Sequence, residues 1–182
     1  VRIPAVMGWD DPTARMWWWA QRALDGRGVV VPSEHRGPFR TLYSADGAAN
    51  YIRALKSPNT VNQTYHIAMQ EVMTIERWTD LIWKAAGHES AVTFVPTEAI
   101  QSSLEGYTPP LSRPLPYIHD LSKAERDFGF TTTPVEEWIQ TTVDWYRDNR
   151  PDQDSAGYEH RSDELALAAR WSEGVGKLVS EF

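Results

Sequence analysis

The chain has no cysteine among its 182 residues. This absence excludes disulfides, a thiolate nucleophile and any zinc site built on cysteine, and it fits a reducing compartment, so a cytoplasmic location is expected. The five histidines are spread along the chain without the spacing of metal ligands: His35, His66, His88, His119 and His160. We therefore expect no metal site. No serine lies in a nucleophile-elbow pattern, which leaves hydrolase chemistry without support.

Long apolar runs and surplus positive charge are also missing. No apolar run approaches the length that crosses a bilayer, and no signal-peptide pattern opens the chain, so no membrane association is expected. The net charge is −7, and the basic residues are scattered among acids. Such a surface repels phosphate backbones, so nucleic acid is not an expected partner. With 41% hydrophobic and 24% charged residues, the composition is that of a globular chain with one core.

What the sequence does contain is an alternation of strand and helix patterns. Apolar runs predict strands at 1–7, 29–32, 41–45, 64–68 and 91–96. Capping residues and helical spacing predict helices at 14–26, 47–57, 75–87, 122–129 and 134–150. This alternation predicts an α/β layer architecture. A polar, Pro- and Gly-containing linker is predicted at 151–162, followed by a last helix at 163–182.

Short polar motifs mark where the predicted helices begin. The predicted N-terminal caps are Thr13, Asp46, Thr74, Ser122 in a capping box with Glu125, and Thr133 before Pro134. For Asp46 this role is favoured over acid catalysis, and Asp120 and Lys123 are assigned to the start of a helix. Apolar residues at helical spacing predict the packed faces: Ala49, Ile52 and Leu55; Ile75, Trp78, Leu81, Ile82 and Ala85; Val135, Trp138, Ile139, Thr142 and Trp145; and Leu165, Ala168, Trp171, Val175, Leu178 and Phe182.

Four segments stand in an order typical of one enzyme family. They are VRIPAVMGWDDP (1–12), FRTLYSADGAANYIRAL (39–55), TYHIAMQEVMTIERWTDLIWKAAG (64–87) and RPLPYIHDLSKAERDFGFTTTPVEEWIQTTVDWY (113–146). Together they resemble the C-terminal half of the extended short-chain dehydrogenase/reductase family, which includes NAD(P)-dependent sugar-nucleotide epimerases and dehydratases. The resemblance implies that residues 1–150 are the substrate-binding portion of a Rossmann-type fold, with the last strands of its sheet.

Two signatures of that family's cofactor half have no counterpart in the sequence. One is the Gly-rich turn between a strand and a helix: GRG at 26–28 joins a predicted helix to a strand, and GVG at 174–176 lies within a helix. The other is the Tyr-x-x-x-Lys pair that serves proton transfer. Because the sequence also opens inside a strand at Val1, we expect a fragment whose cofactor half lies upstream or on a complementary chain. NAD or NADP would bind only with that half.

The resemblance also implies roles for three residues. In the sugar-nucleotide members, two arginines at the positions of Arg40 and Arg113 clamp the substrate's diphosphate, a task suited to the guanidinium fork. Arg40 lies six residues before Asp46, one fewer than in the family pattern. Pro4 matches the position where the chain passes the nicotinamide ring, which implies contact with the cofactor. The alternatives are two solvated surface arginines and an ordinary proline near a strand end.

Three consecutive tryptophans, Trp17, Trp18 and Trp19, lie in the first predicted helix. Neighbours on a helix are about 100° apart, so the three side chains are not expected to face one core. At least one is expected to point to solvent, a ligand pocket or a partner. Packing against the missing half is favoured, and a substrate-binding aromatic wall that includes Trp17 and Trp18 is the alternative.

Two functions of different classes follow. The first is the substrate-binding half of an NAD(P)-dependent oxidoreductase, epimerase or dehydratase that acts on a small hydroxyl or carbonyl substrate; the isolated chain is expected to be inactive. The second is a non-catalytic binding or interaction module, whose exposed tryptophans would mark a partner surface. An RNA-binding relative is disfavoured by the charge of −7. Neither function decides whether the chain forms a homo-oligomer.

Overall fold

The computed structural model describes residues 1–181 and confirms the α/β class. Its strands are β1 (Val6–Met7), β2 (Val29–Pro32), β3 (Leu42–Tyr43) and β4 (Val92–Val95). Its helices are α1 (Arg15–Leu24), α2 (Ser44–Lys56), α3 (Ile75–Ala86), α4 (Thr97–Ser103), α5 (Ser122–Phe128), α6 (Val135–Asp148) and α7 (Arg161–Ser180). No helix within residues 1–181 combines the length and the apolar character needed to cross a membrane.

The strands form two small parallel sheets, β1 with β3 and β2 with β4. The predicted strand at 1–7 is reduced to β1, and the predicted strand at 64–68 is not formed: His66 makes only a single parallel bridge with Arg2. Pro4 explains the interruption, since proline has no backbone N–H to donate to a ladder. Before Pro4, the Arg2 backbone bonds the 65–67 segment, and after it the Ala5 carbonyl accepts a bond from the Leu42 N–H, at 3.0 Å.

The start of α1 differs from the prediction. Thr13 is not the N-cap; Ala14 occupies that position with φ 52°, in the left-handed region, and makes no side-chain cap. Asp11 instead closes the turn, because its Oδ1 accepts bonds from the Thr13 backbone N–H at 2.9 Å and from the Thr13 hydroxyl at 2.6 Å. The helix therefore begins at Arg15, one residue later than the predicted start at Ala14.

Asp46 is also not an N-cap. Helix α2 begins two residues earlier, at Ser44, and Asp46 lies buried in its first turn. Its carboxylate accepts bonds from the Thr133 backbone N–H at 2.9 Å and from the Thr133 hydroxyl at 2.8 Å. The side chain thus holds the loop before α6 onto α2, which is a long-range contact that local sequence cannot reveal.

The apolar face of α2 is exposed. Ile52 and Leu55 are 53% and 86% exposed, and Ala49 is also exposed. The face that packs inward is small and polar: it contains Gly47 and Asn50, whose amide donates to the carbonyls of Asp46 and Thr131, both at 2.8 Å. Helical spacing therefore identified the helix correctly but assigned the wrong face to the core.

The apolar stripes of α3 and α6 follow their predicted patterns more closely, but Thr133 is not the cap of α6: Pro134 is the N-cap residue and the Thr133 hydroxyl bonds Asp46 instead. The Thr74 hydroxyl caps α3, and Gly87 ends it at φ 89°. The predicted stripe of α3 is buried throughout, and in α6 only Trp145 is partly exposed. Trp78 and Trp138 meet between the two helices, with ring centroids 5.7 Å apart. These contacts form the centre of the larger core.

The capping box predicted for α5 is absent. Leu121 is the N-cap residue, and neither Ser122 nor Glu125 caps the helix with its side chain. The Asp120 carboxylate accepts a bond from the Ser122 N–H at 2.9 Å and so supports the helix start, as predicted for Asp120. Gly129 ends α5 at φ 66°.

Helix α7 packs through only part of its predicted apolar stripe: Ala168 and Trp171 are partly buried against the larger core. Arg161, Glu164 and Leu167 are its buried residues, whereas Val175 and Leu178 are 45% and 58% exposed. The last member of the predicted stripe, Phe182, lies outside the described residues. The N-terminal half of α7 therefore joins the core through a buried charged cluster, and its C-terminal half extends from it.

Candidate functional site

The three consecutive tryptophans are all buried, with 3%, 4% and 0% exposure for Trp17, Trp18 and Trp19. The solvent-exposed tryptophan considered from sequence is therefore not found. The reason is that α1 is covered on more than one side: Trp17 Nε1 donates to the Gln153 carbonyl and Trp19 Nε1 to the Pro110 carbonyl, both at 3.1 Å. These three tryptophans therefore form no exposed partner surface, and the predicted packing against a missing half is wrong for them because residues of this chain cover them.

Three of the five site residues predicted from sequence lie together. Pro4, Arg40 and Arg113 line one cavity of about 260 Å³. We call it the arginine cavity. Arg15 and Tyr117 line it as well. The cavity is built from the β1 segment, the loop before β3, the start of α1 and the 111–117 loop, so residues far apart in sequence converge there.

Arg40 is fixed by neutral acceptors. Its Nη1 donates to the His119 carbonyl at 2.6 Å and its Nη2 to the Gln70 carbonyl at 3.2 Å. Its Nε is buried and has no hydrogen-bond partner within residues 1–181. Carbonyls orient a guanidinium without cancelling its charge, so Arg40 presents a net positive charge and spare N–H donors.

Arg113 is more exposed than Arg40 and lies in the 111–117 loop. Its guanidinium carbon is 5.5 Å from the centroid of the Tyr117 ring. Its backbone carbonyl accepts a bond from the Gly37 N–H at 2.9 Å, which fixes the loop against the segment before β3. Within residues 1–181, neither Arg113 nor Arg40 forms an ion pair with a carboxylate. Both charges are therefore available to an anionic ligand.

Arg15 was missed from sequence. Its Nε donates to the Thr13 hydroxyl at 2.6 Å, and it forms a 3.7 Å contact with the Asp11 carboxylate. The signal that could have found it is the Asp-x-Thr turn before α1, which sets the direction of the first helical side chain. That direction also depends on the left-handed conformation of Ala14, which the residue types do not reveal.

Two histidines stack at the back of this region. The rings of His66 and His119 have centroids 4.8 Å apart, and the Tyr117 ring meets His119 edge-on, also at 4.8 Å. Burial lowers the pKa of His119, and the nearby His66 and Arg40 lower it further. His119 is therefore expected to be neutral at physiological pH. Its backbone carbonyl, by contrast, holds Arg40 at any pH.

We expect His119 to titrate below 6.5, the ordinary pKa of histidine. Protonation then favours the unfolded chain, where the pKa is higher, so the free energy of unfolding should fall as the pH falls below about 6.5. The measurement is an NMR titration of the imidazole Cε1–H signals, with His119→Gln used to assign the resonance. A midpoint at or above 6.5 for His119 would contradict the expectation.

Trp17 and Trp18 do not line the arginine cavity. Trp18 borders a cavity of about 230 Å³ near Tyr107 and His160. Trp17 borders two others, of about 390 Å³ near Tyr146 and about 230 Å³ near Trp145. The substrate-wall role that was predicted for these two tryptophans stays a prediction.

The glycines that resemble a cofactor loop are not placed to hold a pyrophosphate. Gly26 and Gly28 lie between the end of α1 and the start of β2, and an added Cβ at Gly28 would lie 2.5 Å from the Ala91 carbonyl oxygen. Gly174 and Gly176 lie inside α7. A dinucleotide loop instead follows a strand and opens a helix, where backbone N–H groups face the phosphates. These residues do not fit a dinucleotide, and only Pro4 is left as a candidate cofactor neighbour.

Neither a family model nor a curated protein sequence matches the chain. Solved structures do match. UDP-glucose 4-epimerase from Thermotoga maritima, solved with UDP-glucose, is 18% identical with a TM-score of 0.61 over 81% of this chain and 45% of its own. UDP-glucuronic acid 4-epimerase from Bacillus cereus, in complex with NAD, is 13% identical with a TM-score of 0.61 over 81% of this chain and 43% of its own.

A third similar structure is dTDP-glucose 4,6-dehydratase from Bacillus anthracis in complex with NAD. It is 17% identical, with a TM-score of 0.57 over 80% of this chain and 43% of its own. At these identities the comparison shows the fold: the chain has the fold of part of these Rossmann-type epimerases and dehydratases. It spans less than half of their length. The fold expected from sequence is thereby confirmed.

Proposed function

We propose that this chain is the substrate-binding portion of an NAD(P)-dependent oxidoreductase, epimerase or dehydratase that acts on a hydroxyl or carbonyl substrate. The observation that carries the proposal is the arginine cavity, where Arg40 and Arg113 meet beside Pro4. The similarity to epimerases solved with UDP-glucose or NAD supports it at the level of fold. The substrate class that suits two guanidinium groups without a carboxylate partner among residues 1–181 is an anionic one, such as a sugar nucleotide.

The dimensions of the cavity agree with this substrate class. A cavity of about 260 Å³ is below the roughly 300–1,000 Å³ of pockets that enclose a whole small-molecule ligand. It suits one part of a ligand, such as its diphosphate, while the remainder extends beyond. Pro4 at the wall would bring the reacting carbon of the substrate near a cofactor held by another part of the enzyme.

Under this proposal, the cofactor site and the catalytic Tyr and Lys lie in another part of the enzyme. The remaining part of the fold, on an upstream segment or a complementary chain, would hold NAD or NADP and supply the Tyr-x-x-x-Lys pair. Residues 1–150 would be the substrate-binding portion, and 151–160 would link it to helix α7 (Arg161–Ser180). The chain by itself would bind substrate without turning it over.

The proposal is tested by isothermal titration of the full chain with UDP-glucose. Arg113→Gln and Arg40→Gln should each weaken binding by about tenfold or more, since each removes charge-assisted hydrogen bonds to an anion. Arg36→Gln is the matched control, because Arg36 is exposed, pairs with Glu76 and lies outside the cavity. Absence of binding by the unmodified chain, or equal binding by all variants, would contradict the proposal.

A second candidate function, an interaction module, is favoured by the exposed apolar face of α2. Ile52 and Leu55 are exposed on this helix, and Val61, shortly after it in the chain, is 68% exposed. A contiguous exposed apolar patch is typical of protein interfaces. Sedimentation velocity tests whether the chain self-associates through this face: Leu55→Lys should then convert an oligomer to a monomer. A chain that is monomeric at all concentrations would remove self-association from this candidate function.

A further inference from the structure

Arg15 brings a third positive charge to the arginine cavity, and neither the sequence motifs nor the proposed function accounts for it. Its side chain is one-third exposed, at 33%, and lines the cavity with Arg40 and Arg113. We propose that Arg15 is an anion-contacting residue that makes the cavity selective for a ligand group with two or more negative charges, such as a diphosphate. This inference rests on the proposed function, because it concerns the same site.

The geometry around Arg15 leaves one edge of its guanidinium free. Asp11 fixes the Thr13 hydroxyl, and that hydroxyl accepts a bond from Arg15 Nε at 2.6 Å. Nη2 faces the Val6 carbonyl at 3.4 Å. Within residues 1–181, Nη1 has no hydrogen-bond partner. The hydrogen bonds from the turn thus orient the side chain of a residue that lines the cavity, and they leave Nη1 able to donate to a ligand.

The balance of charges explains why the ligand group should be multiply charged. Three guanidinium groups line the cavity, and no carboxylate lines it. Asp11 contacts Arg15 at 3.7 Å and offsets part of one charge. A single negative charge would leave repulsion among the arginines largely uncompensated, whereas a diphosphate can match the three cations at once. This local surplus of positive charge is opposite in sign to the net charge of the chain, which is −7.

A substitution at Asp11 tests the inference through an expected gain in anion affinity, whereas a substitution at Arg15 tests it through a loss. Its Oδ1 accepts the turn hydrogen bonds, while its Oδ2 has no hydrogen-bond partner within residues 1–181. Asp11→Asn retains an acceptor for the Thr13 N–H but removes the negative charge beside Arg15. If Arg15 contacts the ligand, this change should strengthen anion binding. A purely structural role for the turn would give no gain in affinity.

The experiment is titration of the full chain with inorganic pyrophosphate and with inorganic phosphate at the same ionic strength and at a slightly acidic pH, where phosphate is mainly the monoanion and pyrophosphate keeps at least two negative charges. Pyrophosphate should bind more tightly than phosphate. Arg15→Gln should weaken pyrophosphate binding by about tenfold and phosphate binding much less, and Asp11→Asn should tighten pyrophosphate binding several-fold. Arg126→Gln is the control, because Arg126 is 67% exposed on α5 and outside the cavity. Thermal unfolding of each variant checks that it is folded.

The outcomes separate this inference from the function on which it rests. If Arg15→Gln binds pyrophosphate as the unmodified chain does while Arg40→Gln and Arg113→Gln bind it weakly, Arg15 is not a contact and only this inference is overturned. Equal affinity of the unmodified chain for phosphate and pyrophosphate also overturns it. If the unmodified chain binds neither anion and also fails to bind UDP-glucose, the proposed function is lost as well.

Discussion

Replacement of Glu164 by glutamine is expected to lower the free energy of unfolding by about 3–5 kcal/mol, the usual cost of removing one partner from a buried ion pair. Glu164 is 1% exposed and Arg22 is 0% exposed, and Arg22 Nε donates to Glu164 Oε2 at 3.1 Å. Glu164 Oε1 accepts bonds from the Tyr107 hydroxyl at 2.7 Å and the Val30 N–H at 3.2 Å. One carboxylate therefore joins α7 to α1, β2 and the loop after α4.

Glutamine cannot replace this carboxylate. It carries no charge to compensate Arg22, and its amide NH₂ would face a donor wherever an oxygen now accepts. Burial and the negative charge of Glu164 also raise the pKa of Tyr107 well above its ordinary value, so the tyrosine donates its proton to this network throughout the physiological range. The cost of the substitution thus arises from several donors that are left unpaired together.

The measurement for Glu164→Gln is urea unfolding, followed by circular dichroism. Glu173→Gln is the matched control on the same helix, because Glu173 is 66% exposed and pairs only with Lys177; its change should stay within about 0.5 kcal/mol. Similar stability of the two variants would mean that the described packing of α7 is wrong.

Trp19→Ala is expected to destabilise the chain by about 3–5 kcal/mol, as is usual when a buried large aromatic residue is truncated. Trp19 is 0% exposed, packs edge-on against Trp18 at 4.7 Å, and donates its Nε1–H to the Pro110 carbonyl at 3.1 Å. The substitution leaves a cavity next to α1 and an unpaired carbonyl. Both effects act in the same direction.

Trp9→Ala is the control for this prediction, since Trp9 is 39% exposed and contacts Tyr43 at 5.7 Å. Its cost should be smaller than that of Trp19→Ala. The measurement is again urea unfolding, with near-ultraviolet circular dichroism to follow aromatic packing. Equal costs, or a tolerated Trp19→Ala, would restore the sequence-based view that one of the three consecutive tryptophans is free of the core.

The features that sequence predicted correctly are local ones. Thr74 and Gly87 bound α3 as expected, because a cap and a left-handed glycine need only the residues beside them. Asp46 could not be assigned in this way, since its carboxylate is used 87 residues further along the chain, at Thr133. The prediction that one of Trp17, Trp18 and Trp19 is exposed was wrong for the same reason, because segments distant in sequence cover α1 on more than one side.

The candidate site likewise contains residues that the sequence identified and one residue that it did not. Arg40 and Arg113 were found through their place in a family pattern, and the structure brings them to one cavity with Pro4. Arg15 belongs to no such pattern, and its position depends on the conformation of the turn at Asp11 and Ala14. Residues 49, 52 and 55 show that periodicity identifies a helix without identifying which face is covered.

The most direct test of the binding site is hydrogen–deuterium exchange of the full chain with and without saturating pyrophosphate. The expected result is slower exchange in peptides that cover 2–7, 37–43 and 111–119, the segments that carry Pro4, Arg40 and Arg113. Peptides around the Trp18 cavity, at 104–108 and 156–160, should be unaffected. Protection at the Trp18 cavity instead, or at no segment, would contradict an anionic substrate site formed by the arginines.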